Sequence, residues 1–226
     1  MVFPSRSAPD TATLTPLPGS RAALEPTAST PTDAAPALRV ATAGEALFDL
    51  IQEADGRLRP CAGGAVYNLT RALGLQGVGT MYLNPLSADL LGRQLLQGLH
   101  DAGVALASPV PVRAPSALAV AALDAEGKAS YSFYRDGVAD RQATGDALIA
   151  ACTALPGLQV VATGCLALVA QDAGIYLPWL AAQRAAGRMV VVDANLRLSA
   201  VDDVPAYRAN VMAALQHAHL IKVSDD

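Results

Sequence analysis

The chain has 226 residues, of which 52% are hydrophobic and 16% are charged, and its formal net charge is −4. A chain of this composition can bury an ordinary core and is too apolar to be globally disordered. Its acidic balance and its lack of any run of Lys or Arg argue against nucleic acid and anionic membranes as partners. The three cysteines show no metal-ligand spacing and follow no secretory signal, so we expect reduced thiols in a cytoplasmic protein.

The N-terminal stretch differs in composition from the rest of the chain. Residues 1–37 are rich in Pro, Thr, Ala and Ser and lack apolar periodicity. They have too little patterned apolar surface to offset the entropy of ordering, so the sequence predicts a disordered extension followed by a structured domain at 38–226. Within that domain, residues 147–170 carry no charge, but Pro156 and Gly157 interrupt them, which favours a helix, a turn and a buried strand over a membrane span.

The structured part alternates strand-like and helix-like stretches. In chain order the predicted elements are a strand at 38–43, a strand-like run at 46–51, a helix at 64–74, a strand at 78–82, a helix at 87–102 with Ser87 as its N-cap, a hairpin of 116–123 and 128–134, a helix at 144–155, a strand at 158–162, a helix at 172–186, a strand at 188–192, a helix at 204–217 and a strand at 220–223. This alternation is typical of a mostly parallel sheet covered by helices.

A carboxylate and a double glycine mark the most informative region. Asp49 lies where a strand-like run gives way to polar residues, and Gly63 and Gly64 open a helix shortly after. The glycines let a ligand approach bare backbone, whose N–H groups have no partner at a helix start. Asn68 lies one helical turn after Gly64 and projects from the same helix face, where its amide can donate and accept. These groups together favour binding of a polyol.

Polar residues also follow a later strand. Asp193, Asn195 and Arg197 come directly after the strand predicted at 188–192. In open parallel sheets, ligands bind outside the carboxyl ends of the strands. These three residues are therefore a second group of site candidates.

The order of these motifs resembles the ribokinase-like (PfkB) family of carbohydrate kinases, in its fructokinase branch. The first block is Gly44-Glu45-Ala46-Leu47-Phe48-Asp49, and the second contains the two glycines and Asn68. Further similar blocks lie at residues 85–92, 101–104, 131–135 with 139–140, 193–197 and 221–226. The resemblance covers nearly everything from residue 38 onward, and several blocks in the right order are far more specific than a single motif.

The resemblance implies a fold and an activity. The fold is a three-layer α/β/α arrangement of ribokinase type, with a mostly parallel sheet and a small β lid formed by about residues 46–60 and part of 116–134. The activity is phosphorylation of a sugar hydroxyl with ATP and Mg²⁺, and fructose is the first choice of sugar. In this family such lids often pair between subunits, so a homodimer is expected.

The resemblance also implies roles for individual residues. Asp49 accepts hydrogen bonds from sugar hydroxyls, and charge-assisted bonds of this kind are the stronger ones. Asp193 and Arg197 belong to the phosphate and metal region, where Arg197 offsets negative charge during transfer, and Lys222 and Ser224 lie beside the nucleotide. The substrate-binding candidates are Asp49, Gly63, Gly64, Asn68, Arg135 and Asn195.

One part of the family pattern is missing. The family's catalytic base, an Asp in a Gly-Ala-Gly-Asp block, belongs to its C-terminal third, and no such block occurs in these 226 residues. We therefore expect a C-terminally truncated chain without catalytic or metal-binding residues of its own, which holds a sugar but does not phosphorylate it. The alternatives are a 2-keto-3-deoxygluconate kinase, whose acidic sugar Arg135 could grip, and a pseudoenzyme that only binds sugar.

Overall fold

The computed structural model describes residues 36–224, except residue 54 and residues 124–128. Nearly all of the N-terminal extension and the turn of the hairpin predicted after residue 116 therefore lie outside the described residues. In the parts that are described, no helix combines the length and the apolar character that a membrane crossing requires.

The described part alternates strands and helices, as the sequence predicts. The strands are β1 (Val40–Thr42), β2 (Leu47–Gln52), β3 (Leu58–Gly63), β4 (Thr80–Tyr82), β5 (Ala105–Leu106), β6 (Ala117–Leu123), β7 (Ala129–Tyr134), β8 (Val160–Gly164), β9 (Met189–Asp193) and β10 (Leu220–Lys222). The α-helices are α1 (Ala65–Leu75), α2 (Leu90–Asp101), α3 (Gly145–Thr153), α4 (Ala173–Ala185) and α5 (Val204–Leu215).

The larger sheet is parallel throughout its described strands. Its order is β10-β9-β8-β1-β4-β5, and β1 lies at its centre, where Val40 pairs with Thr80 of β4 and Val160 of β8. The predicted mostly parallel sheet is thereby confirmed. All its carboxyl ends face one edge, so that β8, β9 and β10 deliver Gly164, Asp193 and Lys222 side by side.

Two clusters of buried apolar residues join the helices to this sheet. One contains Leu148 of α3, Trp179 of α4 and Tyr207 of α5, all nearly inaccessible to solvent. The other contains Tyr67 of α1 and Leu99 of α2. Because successive side chains of a strand point to opposite faces, one sheet supplies apolar partners to both groups of helices, which gives the expected three layers.

A second, smaller sheet has the order β3-β2-β6-β7. Its outer pairs are antiparallel and its central pair, β2 with β6, is parallel. Asp49 of β2 lies opposite Cys61 of β3 and Ala119 of β6, and Ala119 lies opposite Phe133 of β7. Directly opposed residues share a face of the sheet, so one face presents Asp49 together with the ring of Phe133.

The start of α2 differs from the sequence-based expectation. Asp89, rather than Ser87, is the N-cap, and its Oδ1 accepts a hydrogen bond of 2.6 Å from the amide of Gly92. The Ser87 hydroxyl instead accepts from the amide of Asp89 at 3.0 Å. Asp89 also accepts bonds from the amide and the hydroxyl of Ser116, each at 2.8 Å, and so ties the start of α2 to the segment before β6.

Candidate functional site

A cavity of about 240 Å³ lies between the smaller sheet and the carboxyl ends of β8 and β9. Four residues selected from the sequence line it, namely Asp49, Gly64, Asn68 and Arg197. They come from β2, the start of α1 and the segment after β9, so the fold brings together groups that are far apart in the chain. We call this space the Asp49 cavity.

Asp49 supplies the carboxylate of this cavity. The side chain is half-buried, and this burial raises the pKa of its carboxyl group. The carboxylate has no hydrogen-bond or ion-pair partner among the described residues. A partly desolvated carboxylate with unused acceptor sites is suited to hydroxyl donors of a ligand.

The two glycines serve different purposes. A Cβ added to Gly63 would collide with Oδ2 of Asp49, so the missing side chain leaves room for the carboxylate. Gly64 is the N-cap of α1 and has φ of 102°, a left-handed conformation in which other residues are strained. The sequence therefore points to the right positions, but for Gly63 the reason is space for Asp49.

The expectation of free amides at the start of α1 is wrong for its first three residues, Ala65, Val66 and Tyr67. The amide of Ala65 donates to Oε1 of Glu45 at 2.8 Å, and the amide of Val66 reaches the same oxygen at 3.4 Å. The amide of Tyr67 donates to the main-chain oxygen of Glu45 at 3.2 Å. Helix-start amides need an acceptor, and Glu45 provides it because the N-cap glycine has no side chain.

Glu45 is a residue of the site that the sequence reasoning missed. Its side chain is inaccessible to solvent yet belongs to the lining of the Asp49 cavity. Burial raises the pKa of its carboxyl group to about 7, although Arg135 opposes that shift. Glu45 belongs to the Gly44–Asp49 block, directly before an apolar run, and a carboxylate in that position is the sequence signal for it.

Arg135 does not line the Asp49 cavity. It is buried, it donates to the carbonyl of Leu166 at 2.9 Å, and its Nη2 lies 3.3 Å from Oδ2 of Asp140. Leu166 and Glu45 both line the cavity, so Arg135 acts on the site through the Leu166 carbonyl and through its charge near Glu45. Among the described residues, its polar contacts thus fix the cavity wall, which differs from the direct sugar contact expected from the sequence.

A second arginine completes this buried group of charges. Arg141 donates from Nε and Nη2 to Oδ1 of Asp172 at 2.9 and 2.7 Å, and from Nη1 to the carbonyl of Arg135 at 3.1 Å. Burial is the largest cause that raises the pKa of Asp140, while Arg135 lowers it. We call Arg135, Asp140, Arg141 and Asp172 the buried charge cluster.

The residues after β9 and β10 form a polar rim at the carboxyl edge of the large sheet. Nζ of Lys222 lies 3.1 Å from Oδ2 of Asp193, and Nη1 of Arg197 donates to Oδ1 of Asn195 at 2.6 Å. Arg197 alone of these four lines the Asp49 cavity, and it therefore connects the rim with the cavity. Ser224 is exposed and follows β10.

Among the described side chains of this region there is neither a preformed metal cluster nor a reactive thiol. Within residues 36–224, apart from the gaps named above, no group of three or more His, Cys, Asp or Glu residues is arranged to hold a metal ion. Cys165 lines the cavity, but burial raises the pKa of its thiol to about 12. The thiol stays protonated at neutral pH and is therefore a poor nucleophile.

The three-layer fold, with its parallel sheet and its smaller second sheet, defines a ribokinase-like α/β protein. The profile of the pfkB family carbohydrate kinases matches residues 37–226. The chain therefore belongs to the pfkB family of carbohydrate kinases.

Individual relatives agree with this assignment. A fructokinase of Rhizobium leguminosarum bv. trifolii is 28% identical over 191 residues, which cover 81% of this chain and 56% of the relative. The structure of the Xylella fastidiosa fructokinase with bound ATP matches with a TM-score of 0.71 at 26% identity, over 83% of this chain and 58% of that one. A putative ribokinase II from E. coli shares the fold, with a TM-score of 0.70 at 18% identity over 83% of this chain and 63% of that chain. This chain thus spans less than two thirds of the length of each.

Proposed function

We propose that this chain carries the sugar-binding part of an ATP-dependent sugar kinase, with fructose as its substrate. The observation that carries the proposal is the Asp49 cavity, in which a carboxylate without a partner among the described residues faces a glycine-opened helix and an arginine. The similarity to proteins named fructokinases supports the choice of sugar. The ATP bound to one of those proteins supports the choice of phosphate donor.

Each group in the cavity has a defined task in this proposal. Asp49 accepts hydrogen bonds from two or more sugar hydroxyls, and the carboxamide of Asn68 both donates and accepts. Phe133 provides an apolar surface for the carbon face of the sugar. Arg197, at the junction of cavity and rim, offsets the charge of a phosphoryl group that approaches the bound hydroxyl.

The polar rim is suited to phosphate and to a phosphate-bound cation. Lys222 and Arg197 supply positive charge, while Asp193 supplies a carboxylate that is only partly neutralised by Lys222. Bound Mg²⁺ typically takes one or two carboxylates together with substrate phosphates, and it would neutralise charge on those phosphates. Asp193 is the described carboxylate best placed for this, with Asn195 and Ser224 as neighbouring polar groups.

We further propose that the smaller sheet acts as the lid over the sugar. Strands β2, β6 and β7 and the first residues of β3 fall in the two stretches that the family pattern assigns to a lid, and β3 continues to Gly63, beyond the expected boundary near residue 60. Pairing of two such sheets would give a homodimer, and the whole protein would work in the cytoplasm.

A non-enzymatic sugar binder is the alternative for the polypeptide of 226 residues. It is favoured by the absence of a Gly-Ala-Gly-Asp block from the sequence. A 2-keto-3-deoxygluconate kinase is less favoured, because the guanidinium that would grip the sugar acid is held by Asp140 and the carbonyl of Leu166.

The sugar site can be tested by substitution of its carboxylate. Asp49→Ala should weaken fructose binding about tenfold to hundredfold, because it removes charge-assisted bonds worth about 1.5 to 3 kcal/mol. Titration calorimetry measures the affinity, and Asp101→Ala, which removes an exposed carboxylate elsewhere, is the matched control. Unchanged binding by Asp49→Ala would remove the basis of the assignment.

The division between binding and catalysis has its own test. Purified polypeptide of 226 residues should bind fructose but should not form fructose phosphate from ATP above background, because a base for the hydroxyl is not among its family blocks. A coupled assay of ADP release measures turnover, and 2-keto-3-deoxygluconate is assayed beside fructose. Robust phosphorylation of either sugar by this polypeptide would contradict the proposal.

A further inference from the structure

Glu45 occupies an unusual position between the sugar site and the buried charge cluster. Its side chain reaches across from the segment between β1 and β2 to the first turn of α1. Side-chain and main-chain oxygens of Glu45 together accept bonds from the amides of Ala65, Val66 and Tyr67. The cap of α1 is thus supplied by a residue distant in sequence, which makes the placement of Gly64 and Asn68 depend on Glu45.

The packing of Gly64 adds to this dependence. A Cβ on Gly64 would lie 2.8 Å from the main-chain oxygen of Glu45 and 3.2 Å from its Cγ. The chain at the N-cap is therefore pressed against Glu45 and has little room to shift while that side chain is in place. The backbone amide of Asn68 donates to the carbonyl of Gly64 at 2.9 Å, so the position of Asn68 depends on that of Gly64.

The second carboxylate oxygen of Glu45, Oε2, is buried and has no hydrogen-bond partner among the described residues. An ionised oxygen without a partner is costly to bury, whereas a protonated one is much less so. The geometry therefore favours a neutral carboxyl group that keeps Oε1 as the acceptor for α1.

The charged and titratable groups around Glu45 affect its protonation when a ligand occupies the Asp49 cavity. Two arginines and two carboxylates face its surroundings: Arg135 and Asp140 from the buried charge cluster, and Arg197 and Asp49 from the Asp49 cavity. Tyr82, Cys165 and Tyr207 are further titratable neighbours, and their raised pKa values keep them neutral near pH 7. Arg135 favours the ionised form of Glu45, but burial is the larger effect and raises the pKa of its carboxyl group. A sugar that displaces water from the cavity adds to this burial and further penalises the ionised form.

We propose that Glu45 is a positioning residue of the sugar site, which holds the first turn of α1 against the cavity and takes up a proton when sugar binds. This inference rests on the proposed function, since it concerns the same cavity. The proposal fixes the direction of the pH dependence. The pKa of Glu45 is about 7 without sugar, and bound sugar raises it further. The sugar affinity therefore falls as pH rises through 7.

The test compares three forms of the chain in fructose binding between pH 6 and pH 8.5. If water exclusion raises the pKa of Glu45 by about one, the wild-type chain should bind about tenfold more weakly at the upper pH. Glu45→Gln keeps an acceptor oxygen for α1 and cannot ionise, so it should bind with near wild-type affinity at low pH and lose the pH dependence. Glu45→Ala removes the acceptor and should bind about tenfold more weakly at every pH.

Two further measurements separate positioning from general stability. Thr144→Ala removes the cap of α3, where the Thr144 hydroxyl accepts from the amide of Ala147, and should leave fructose affinity unchanged although it also loosens a helix start. Calorimetry of the wild-type chain in buffers of different ionisation enthalpy at pH 7 should show net proton uptake on binding, and this measurement needs no variant to fold.

The outcomes distinguish the inference from the proposed function. Fructose binding that shows no proton uptake, or a pH profile shared by the wild type and Glu45→Gln, would overturn the role of Glu45 and leave the sugar site standing. Failure of the wild-type chain to bind fructose at any pH would overturn the proposed function and this role with it.

Discussion

Asp49 and Asp140 carry the same side chain into two different environments. Asp49 is half-buried beside a cavity and has no partner among the described residues, whereas Asp140 is buried 3.3 Å from the guanidinium of Arg135. Burial is the first cause that raises the pKa of both. The difference lies in the partner: the charge of Asp140 is already neutralised within the fold, and that of Asp49 is open to a ligand. A carboxylate is thus a site candidate because of what its neighbours leave unsatisfied.

Replacement of Arg135, the ion-pair partner of Asp140, should have the largest effect on stability. Arg135→Ala leaves Asp140 buried without its cation and also deprives the carbonyl of Leu166 of a donor. We expect a loss of about 3 to 5 kcal/mol in the free energy of unfolding, measured by urea denaturation. The control is Arg57→Ala, which breaks a highly exposed pair with Asp55 and should leave the free energy of unfolding nearly unchanged. Equal losses of unfolding free energy in the two variants would show that the buried pair stabilises the fold no more than the exposed pair does.

Glu45 combines features of the two aspartates, because it is buried like Asp140 and lines the cavity like Asp49. Its folded-state pKa of about 7 lies above the ordinary value of 4.5, so the folded protein binds this proton more tightly than the unfolded chain. The resulting stability is fully present below pH 4.5 and is lost as pH rises to about 7, by about 3 kcal/mol in total. Urea denaturation of the wild type and Glu45→Gln at pH 5 and pH 8 measures the difference.

In that experiment, the wild-type free energy of unfolding should fall more between pH 5 and pH 8 than that of Glu45→Gln. Other carboxyl groups titrate in both proteins and cancel in the comparison. An identical pH dependence in the two proteins would mean that Glu45 is ionised across this range.

The fold was predictable from the sequence because its signals are local. Alternating apolar strands and helices specify a parallel sheet before any contact is known, and the predicted elements occur in the predicted order, although β3 and β5 were not predicted. The prediction of Ser87 as the N-cap of α2 was wrong, because both Ser87 and Asp89 are suitable caps. In the structure Asp89 accepts from the amide of Gly92 and is also held by two hydrogen bonds from Ser116.

The site was predictable to a lesser extent, and for a physical reason. Spacing along one strand–turn–helix unit identifies Asp49, Gly64 and Asn68, which the structure brings to one cavity. The burial of Arg135 and the capping by Glu45 depend on contacts with Leu166 and Ala65, which lie 31 and 20 residues away in the chain. Such long-range packing leaves no pattern in a short stretch of sequence.

The smallest expected effect on stability is that of Gly63→Ala, which tests whether the position of the Asp49 carboxylate depends on the space left by Gly63. In Gly63→Ala the new methyl group would occupy the position of Oδ2 of Asp49 and turn the carboxylate away. The displaced group is the flexible end of a side chain, so stability should change little, while fructose affinity should fall about tenfold through the loss of one aligned hydrogen bond. The control is Gly174→Ala in α4, where, apart from the chain neighbours and the backbone of the helix itself, no atom lies within 4 Å of the new Cβ. That variant should gain about 0.5 to 1 kcal/mol in unfolding free energy and keep its affinity. Full fructose affinity in Gly63→Ala would mean that Asp49 binds the sugar from another rotamer, or that it does not bind the sugar.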